Sequence, residues 1–423
     1  MVFPPLKLEI DRLGPKGDGI ARSPRGTVYL ERTAPGDQVK AKIYNDSEGV
    51  LRGDVVAVTH PSPYRQTPPC PHYEKCGNCT LQHLNTEFYR FWKTNRVKEA
   101  FLKVGLKPQK WLKPIFVEGH NRRRLTFTVV KKKGKVVMGY YQRRSKEVTD
   151  IESCEIADPK LLELKKTLKP FLNRLVKEGQ SADLFFQLVD GSIDMVISDP
   201  FAKMGKIDST TLKILEDLCD VTSISRVSFK VEDKVQTLIK KEPVHKTFGN
   251  LKVELPPAAF LQPTSEGEEA LVTAVMNAIP AKGKFLDLFS GCGTFSGPLL
   301  ERGSVDAFES GELAVKALSK LSSEFPLRVY RRDLFKNPVR YQDLNRFDAI
   351  IFDPPRAGCV EQAHEMALSK CETLVGISCN PATFARDAKI LAKGKYQLKS
   401  LQVIDQFLWS HHVEVVGVFT KAR

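Results

Sequence analysis

Several short stretches of this 423-residue chain carry side chains in patterns that can do chemistry. In Ile377-Ser378-Cys379-Asn380-Pro381-Ala382-Thr383 a cysteine follows an apolar run and precedes a helix start, with Asn380 as N-cap and Pro381 at the first helical position. The positive end of a helix lowers a thiol pKa, which would make Cys379 a nucleophile near neutral pH; an inert packed cysteine fits the position equally well. Asp353-Pro354-Pro355-Arg356 follows an apolar run, and there two prolines stiffen a loop in which Asp353 can accept hydrogen bonds from a base or an amine, although by itself it reads as a turn. Glu414 heads the apolar run 413–418 and in isolation reads as an edge residue rather than a general base, and His411 and His412 read as surface or packing residues.

A second chemistry is suggested by Cys70-x5-Cys76-x2-Cys79, with Cys154 as the distant fourth thiol. Four thiolates suit tetrahedral zinc or an iron–sulfur cluster, and spacing does not separate the two. Structural ligation fits better than redox catalysis, because no C-x-x-C lies in a thioredoxin-like βαβ setting, and nine scattered cysteines do not read as a disulfide framework.

The third pattern, Phe285-Leu286-Asp287-Leu288-Phe289-Ser290-Gly291-Cys292-Gly293-Thr294-Phe295, is an apolar strand entering a glycine turn at a helix start. Glycines at 291, 293 and 297 do not match the dinucleotide fingerprint G-x-G-x-x-G. Glu309 ends the next strand, where an acid can accept hydrogen bonds from a ribose with free hydroxyls, which S-adenosylmethionine has as well as NAD.

These residues need elements to hold them. Short strands near 6–10, 27–30, 38–43 and 53–58, broken by Gly/Pro turns, predict a small N-terminal β-barrel over 1–59. A Pro-rich break and the cysteine cluster fill 60–84. Residues 85–255 open with a connector helix over 86–104, its Phe88, Phe91, Val97, Phe101 and Val104 on one face and Lys93, Arg96 and Lys98 on a basic opposite face, and continue as a central α/β domain. From 256 to 423 strands alternate with helices, which predicts a doubly wound, mainly parallel, Rossmann-like sheet with its ligand site at the carboxyl ends of the strands.

Charge is divided along the same line. The net charge is +15; residues 256–423 hold 20 Lys+Arg against 19 Asp+Glu, leaving 45 against 31 for residues 1–255. The basic part suits a polyanion, and Arg122-Arg123-Arg124, Lys131-Lys132-Lys133 and the Lys93/Arg96/Lys98 face, interleaved with Phe88, Phe91, Trp92 and Phe127, suit RNA phosphates and bases. No apolar run reaches the roughly 18 residues of a membrane span and the first residues lack a signal-peptide pattern, so a cytoplasmic location with no membrane partner is expected.

Taken jointly, these residues resemble the RNA (uracil-5)-methyltransferase family, in particular its 23S ribosomal RNA branch, over almost the whole chain. Ser378-Cys379-Asn380-Pro381-Ala382-Thr383 and Asp353-Pro354-Pro355-Arg356 carry the resemblance most strongly, and Gly14-Pro15-Lys16-Gly17-Asp18-Gly19-Ile20-Ala21 with Ala34-Pro35-Gly36-Asp37 resembles a TRAM domain, an OB-like RNA-binding barrel. The resemblance implies an S-adenosylmethionine-dependent enzyme, Cys379 as nucleophile on C6 of uracil, Glu414 as the base that removes the C5 proton, and Gln262, Phe289, Thr294, Glu309, Asp333 and Asp353 at the cofactor, with Asp353 positioning uracil or cofactor. It further implies a four-iron, four-sulfur cluster on Cys70, Cys76, Cys79 and Cys154 in preference to zinc; the barrel and cluster together favour ribosomal over transfer RNA, and a monomer is expected. Two departures stand out: the family's Phe-Phe-Gln followed by Val-Asn is here Phe260-Leu261-Gln262-Pro263-Thr264, and Thr294 stands where many members have asparagine. The rival readings are a non-catalytic RNA-binding assembly factor that keeps the fold and cluster as scaffold, and a thiol redox sensor; neither needs thiol, carboxylates and glycine turn together.

Overall fold

Alternating apolar residues in short N-terminal strands can be buried when the sheet closes on itself, and the computed structural model, which describes residues 4–198, 208–232 and 234–422, shows that closure. Leu6–Leu13, Gly19–Ser23, Gly26–Leu30, Gln38–Asn45 and Leu51–His60 form a closed barrel around Leu8, Ile10, Val28, Leu30 and Val39. Gly19–Ser23, a strand beyond those read from the sequence, pairs with both Leu6–Leu13 and Gly26–Leu30.

The cysteine-bearing stretch that follows is turns and loops tied to the barrel by side chains. Arg32 donates to the carbonyls of Tyr73 and Cys76, Arg65 pairs with Asp37 at 2.7 Å, and the His83 ring meets the Thr33 carbonyl at 3.1 Å.

Helix Thr86–Lys103 starts where expected, with Asn85 accepting from the Phe88 amide, but its faces differ from the sequence reading. Tyr89, Trp92, Lys93, Val97 and Phe101 are the buried residues, while Phe91 is 60% exposed. Lys93, assigned to a solvent-facing basic stripe, is fully buried, and Arg96 donates to the His411 carbonyl. The helix packs with the C-terminal domain through Val97 and Phe101, and Lys110–Trp111 and Ile115–Phe116 pair with strand Tyr396–Asp405. The start of the segment read as central thus lies on the C-terminal sheet.

The central sheet runs Val148–Asp150, Lys135–Tyr141, Arg124–Lys132, Ser181–Val189, Ser192–Ser198, Ile224–Val231, Lys234–Lys240. Helices Pro159–Leu175 and Ser209–Asp220 cover it with Leu161, Leu164, Leu168, Leu215 and Leu218. The hairpin His245–Phe248 and Leu251–Glu254 then packs on the last domain.

There the strand order is Leu327–Arg331, Gly303–Glu309, Gly283–Leu288, Ala349–Phe352, Thr373–Ser378, Glu414–Lys421, Tyr396–Asp405. The first five are parallel and Glu414–Lys421 runs against them, so its beginning lies at the edge where the others end. Both faces are covered: Val360–Leu368, Pro381–Lys393 and Thr86–Lys103 on one, Ser265–Met276, Ser296–Leu300 and Glu312–Ser319 on the other. Gly376 is required in this core, because a Cβ there would stand 2.5 Å from the Phe352 ring and 2.6 Å from the Phe384 ring. No helix among the described residues is long and apolar enough to cross a membrane.

Candidate active site

The carboxyl edge of this sheet gathers the chemistry-bearing side chains, because each follows a strand that ends there. Phe289 follows Gly283–Leu288, Glu309 closes Gly303–Glu309, Asp353 follows Ala349–Phe352, and Cys379 follows Thr373–Ser378. The antiparallel register pairs Ser378 with Val415, which sets Glu414 across from Cys379.

Two loops there are fastened into one piece. Asn380 caps helix Pro381–Lys393 by accepting from the Ala382 amide and donates through Nδ2 to the Arg356 carbonyl at 3.0 Å; Thr383 Oγ1 donates to the same carbonyl at 3.0 Å. Asp387 accepts from the Cys359 amide at 2.7 Å, and Arg386 donates to the Ala357 carbonyl at 2.7 Å. Gly358, at φ +76, brings that turn against the Asp387 carboxylate, where a Cβ would collide.

Electrostatics correct the expectation for the thiol. Half-buried Cys379 is pushed up to about 11, first by burial, then by Glu414 and Asp353, with Arg356 opposing. Cys379 precedes the cap, and the helix-end field, worth about 0.3–1 kcal/mol, is outweighed by loss of water and two neighbouring acids. Glu414, 5% exposed, is pushed up to about 8 by burial and by Asp353; Asp353 rises to about 7 through burial. Asp287, fully buried within its strand, also rises to about 7, by burial with Asp353 and Glu309 adding, while Ser296 Oγ donates to it at 2.6 Å. The edge is therefore a cluster of buried acids whose ionised forms burial disfavours.

The remaining expected residues lie around this cluster. Both Glu309 oxygens are engaged, one with the Gly291 amide at 3.0 Å and the other with the Gly311 amide at 2.6 Å, so it braces the glycine turn while facing the edge. Phe289, at φ +65, faces Phe335 with ring centroids 5.8 Å apart, and Asp333 accepts from the Phe335 amide at 3.0 Å. Thr294 lies half-buried on the glycine turn. Gln262 is buried just before helix Ser265–Met276 and accepts from Gln406 Nε2 at 2.7 Å, which places it on the Glu414 side.

Sequence reasoning gave no role to Asp287, Gln406 or Asp405, and set Lys93 on a solvent-facing basic stripe. An acid inside the apolar Phe285-Leu286-Asp287-Leu288-Phe289 was a readable signal for the first. Lys93 Nζ lies 2.8 Å from Asp405 Oδ1 and also donates to the carbonyls of Phe407 and His412, while Tyr89 OH donates to Asp405 Oδ2 at 2.5 Å. That buried pair anchors the connection from Asp405 to Glu414. Its partners lie more than 300 residues apart in sequence, so no local pattern announces them.

The basic runs divide in the same way. Arg123 is buried against Glu268 at 2.6 Å and Phe127 is a core residue, whereas Arg122 and Arg124 line a cleft of about 310 Å³ with Phe185, Phe260 and Phe407. The Arg124 guanidinium lies 4.7 Å from the Phe260 ring and 5.7 Å from that of Phe185.

Cys70, Cys76, Cys79 and Cys154 line one cavity of about 20 Å³, the size of a single water. All nine cysteines are free thiols, and among the described residues no Cys, His, Asp or Glu group is already arranged as metal ligands. Burial pushes Cys79 up to about 12 and raises the other three; Cys76, Cys79 and Cys154 also work against charge on another of the four, and Cys70 against Glu155. The donor type suits a thiophilic metal ion, which would supply the missing positive charge.

Comparison with known proteins gives the family and the fold. The tRNA (Uracil-5-)-methyltransferase family matches residues 93–423 and the TRAM domain matches residues 4–56. An uncharacterized RNA methyltransferase of Brucella suis is 36% identical over 422 residues, covering 99% of this chain and 98% of that protein. The 23S rRNA (uracil(1939)-C(5))-methyltransferase RlmD of Acinetobacter baylyi is 28% identical, covering 94% and 89%. The crystal structure of Pyrococcus abyssi tRNA (uracil-54, C5)-methyltransferase in complex with S-adenosyl-L-homocysteine shares the fold, with a TM-score of 0.74 at 22% identity, covering 98% and 99%. Fold and family together define an enzyme, an RNA methyltransferase built on the S-adenosylmethionine-dependent methyltransferase fold with an N-terminal TRAM barrel. The chain belongs to the tRNA (uracil-5-)-methyltransferase family.

Proposed function

We propose that this protein methylates C5 of a uridine in 23S ribosomal RNA through a covalent adduct with Cys379. The observation that carries the reading is the meeting of Cys379, Asp353 and Glu414 at one sheet edge, each within electrostatic reach of the others. C5 of uracil is a weak nucleophile. Half-buried Cys379 gives up its proton to solvent, and addition of the resulting thiolate to C6 makes C5 an enolate carbon. S-adenosylmethionine supplies the methyl group that C5 takes. Glu414 then removes the C5 proton, the C5–C6 double bond re-forms and the Cys379 sulfur leaves.

The acid cluster suits this sequence. A cationic sulfonium bound at this edge would offset the repulsion among Asp287, Glu309 and Asp353 and would draw Glu414 down toward its ionised, base-competent form. Phe289, Thr294 and Asp333 complete the cofactor side, with Gln262 at its junction with the base. The uridine must leave its stack to reach this edge, and the Arg122/Arg124 cleft with Phe260 and Phe185 suits the flanking strand. Residues 85–255, with 34 Lys+Arg against 22 Asp+Glu, carry most of the excess positive charge for the RNA backbone, whereas the barrel over 1–59 holds 9 against 8.

Cys70, Cys76, Cys79 and Cys154 would hold a four-iron, four-sulfur cluster, a structural staple in which the thiolates lose their protons to the metal. The RlmD relative supports ribosomal RNA as the target. The test offers S-adenosylmethionine carrying a labelled methyl to unmodified 23S rRNA and to transfer RNA, with nucleosides read by mass spectrometry. 5-Methyluridine in 23S rRNA is expected; label in transfer RNA alone reassigns the substrate, and label in neither overturns the reading.

A further inference from the structure

The turn between strands Lys135–Tyr141 and Val148–Asp150 carries Arg143 and Arg144 across to the N-terminal barrel. Arg144 Nη2 donates to Glu31 Oε1 at 2.6 Å, and its Nη1 lies 3.2 Å from Asp54 Oδ1 and also donates to the Tyr44 hydroxyl. Arg143 pairs with the second Glu31 oxygen. Two cations therefore meet two anions across the junction. The turn itself is held from behind by other bonds: the Gly77 amide donates to the Tyr141 carbonyl at 3.0 Å, and Cys76 pairs with Gln142 as an isolated antiparallel bridge. The cysteine-bearing stretch thus places both guanidiniums independently of the barrel's acids.

This junction has the exposure of a binding surface. The Arg144 and Asp54 side chains are 40% and 68% exposed, and both arginines border three clefts. One, of about 450 Å³ on the barrel side, also reaches Lys16, Arg52 and His411, the last three residues before Glu414 in sequence. Another, of about 390 Å³ over the central sheet, shares Asn78, Thr126 and Tyr140 with the Arg122/Arg124 cleft. A polymer leaving the catalytic edge by either route arrives at Arg143 and Arg144. The barrel wall it meets is acidic, since Asp18, Glu31, Asp46 and Asp54, four of the barrel's eight acids, line these clefts.

The polymer this enzyme class handles is RNA, and its phosphates compete with carboxylates for the same paired N–H donors of a guanidinium. Exposed ion pairs are weak enough for such an exchange. We infer that Arg143 and Arg144 form a phosphate site for the RNA flanking the target, and that Glu31 and Asp54 occupy this site until RNA displaces them. The barrel's own acids then restrain RNA binding, and the barrel loosens from the central hairpin when RNA arrives. The inference rests on the reading that the substrate is RNA, and on no particular base or chemical step.

Arg144→Lys keeps the charge and supplies an amine. In that variant a carbodiimide is expected to join the amine to Glu31 or Asp54 as an amide, located by peptide mass spectrometry, and a 23S rRNA fragment added beforehand is expected to suppress most of the link. RNA affinity gives a second readout. Glu31→Gln/Asp54→Asn keeps the shapes and releases the guanidiniums, so it should tighten binding of the fragment at low salt by about threefold to tenfold. Arg143→Gln/Arg144→Gln should weaken binding by at least a similar factor. Two acids acting only through their general field would oppose RNA with or without the arginines, so the variant carrying all four changes decides. With the arginines replaced, replacing the acids should gain less than about twofold. A gain as large as in the wild-type background overturns the inference, as does an amide link that never forms or that forms equally with RNA bound. Wild-type protein that binds neither 23S rRNA nor transfer RNA defeats the functional reading together with this one; tight wild-type binding that the variants leave unchanged defeats this one alone.

Discussion

Lys93→Met removes the buried cation that anchors the connection leading to Glu414. Lys93 and Asp405 have side chains 0% and 1% exposed, with Nζ 2.8 Å from Oδ1. Removing the cation leaves Asp405 buried with Tyr89 and the Phe407 amide as donors, and frees the Phe407 and His412 carbonyls. Breaking one partner of such a pair costs about 3–5 kcal/mol, and the surviving donors put this case near the lower end, about 3 kcal/mol. For a cooperative unit of roughly 250 residues that is a fall in Tm of about 6–12 °C. Lys93→Met/Asp405→Leu removes both charges, and its cost should fall well short of the sum of the single variants, with an interaction free energy of at least about 1.5 kcal/mol. The assay is urea denaturation of the four proteins of the cycle, read by circular dichroism and tryptophan fluorescence, with kcat measured in parallel; kcat should drop in Lys93→Met because Glu414 loses its anchored approach. Single variants that each cost under about 0.5 kcal/mol, or a double variant equal to their sum, would refute the reasoning.

Glu414→Gln should permit sulfur addition and methylation but stall release, so that the methylated RNA–protein adduct accumulates on denaturing gels; wild-type turnover rules Glu414 out as the base. Asp287, Asp353 and Glu414 have folded pKa values above their unfolded ones, so the ligand-free fold binds more protons than the unfolded chain, and their stabilising contribution, full below about pH 4, is lost as pH rises through about 7–8. Asp287→Asn should accordingly raise stability at pH 8.5 by at least about 1 kcal/mol and leave it nearly unchanged at about pH 3.5, below the unfolded value, read as Tm at the two pH values. Gly376→Ala forces a methyl between the Phe352 and Phe384 rings and should destabilise by about 1–3 kcal/mol; an unchanged denaturation midpoint would show that the rings yield freely. Anaerobically purified protein should be brown and hold iron, with colour lost in Cys79→Ser; colourless protein with stoichiometric zinc reassigns the metal.

Much of the positioning frame was legible because it is local. Apolar strands ending at Phe289, Glu309, Asp353 and Cys379 could be read one by one, and parallel alternation alone sends those ends to a common edge. The Asn380-Pro381 helix start was likewise visible. The charge state of Cys379 was not, since its burial and the carboxylates facing it come from other strands and act against the local helix field. Lys93 read as a surface cation because its own helix is amphipathic and basic; its partner Asp405 reaches it only after the last strands are laid down. Gln406 had no signal of its own, because its place depends on the gap that Gly267 leaves in another helix. Tertiary contacts override local pattern at these positions, and they cluster around the site.

The central claim is a sulfur–carbon bond between Cys379 and C6 of the target uracil. It is tested most directly by incubating the protein with S-adenosylmethionine and 23S rRNA fragments in which uridine is replaced by 5-fluorouridine, followed by denaturation and peptide mass spectrometry. Fluorine cannot leave C5 as a proton does, so the account predicts a stable methylated adduct on the peptide bearing Cys379, absent in Cys379→Ala. Methylation of the natural RNA with no trapped adduct, or an adduct on another residue, would contradict it.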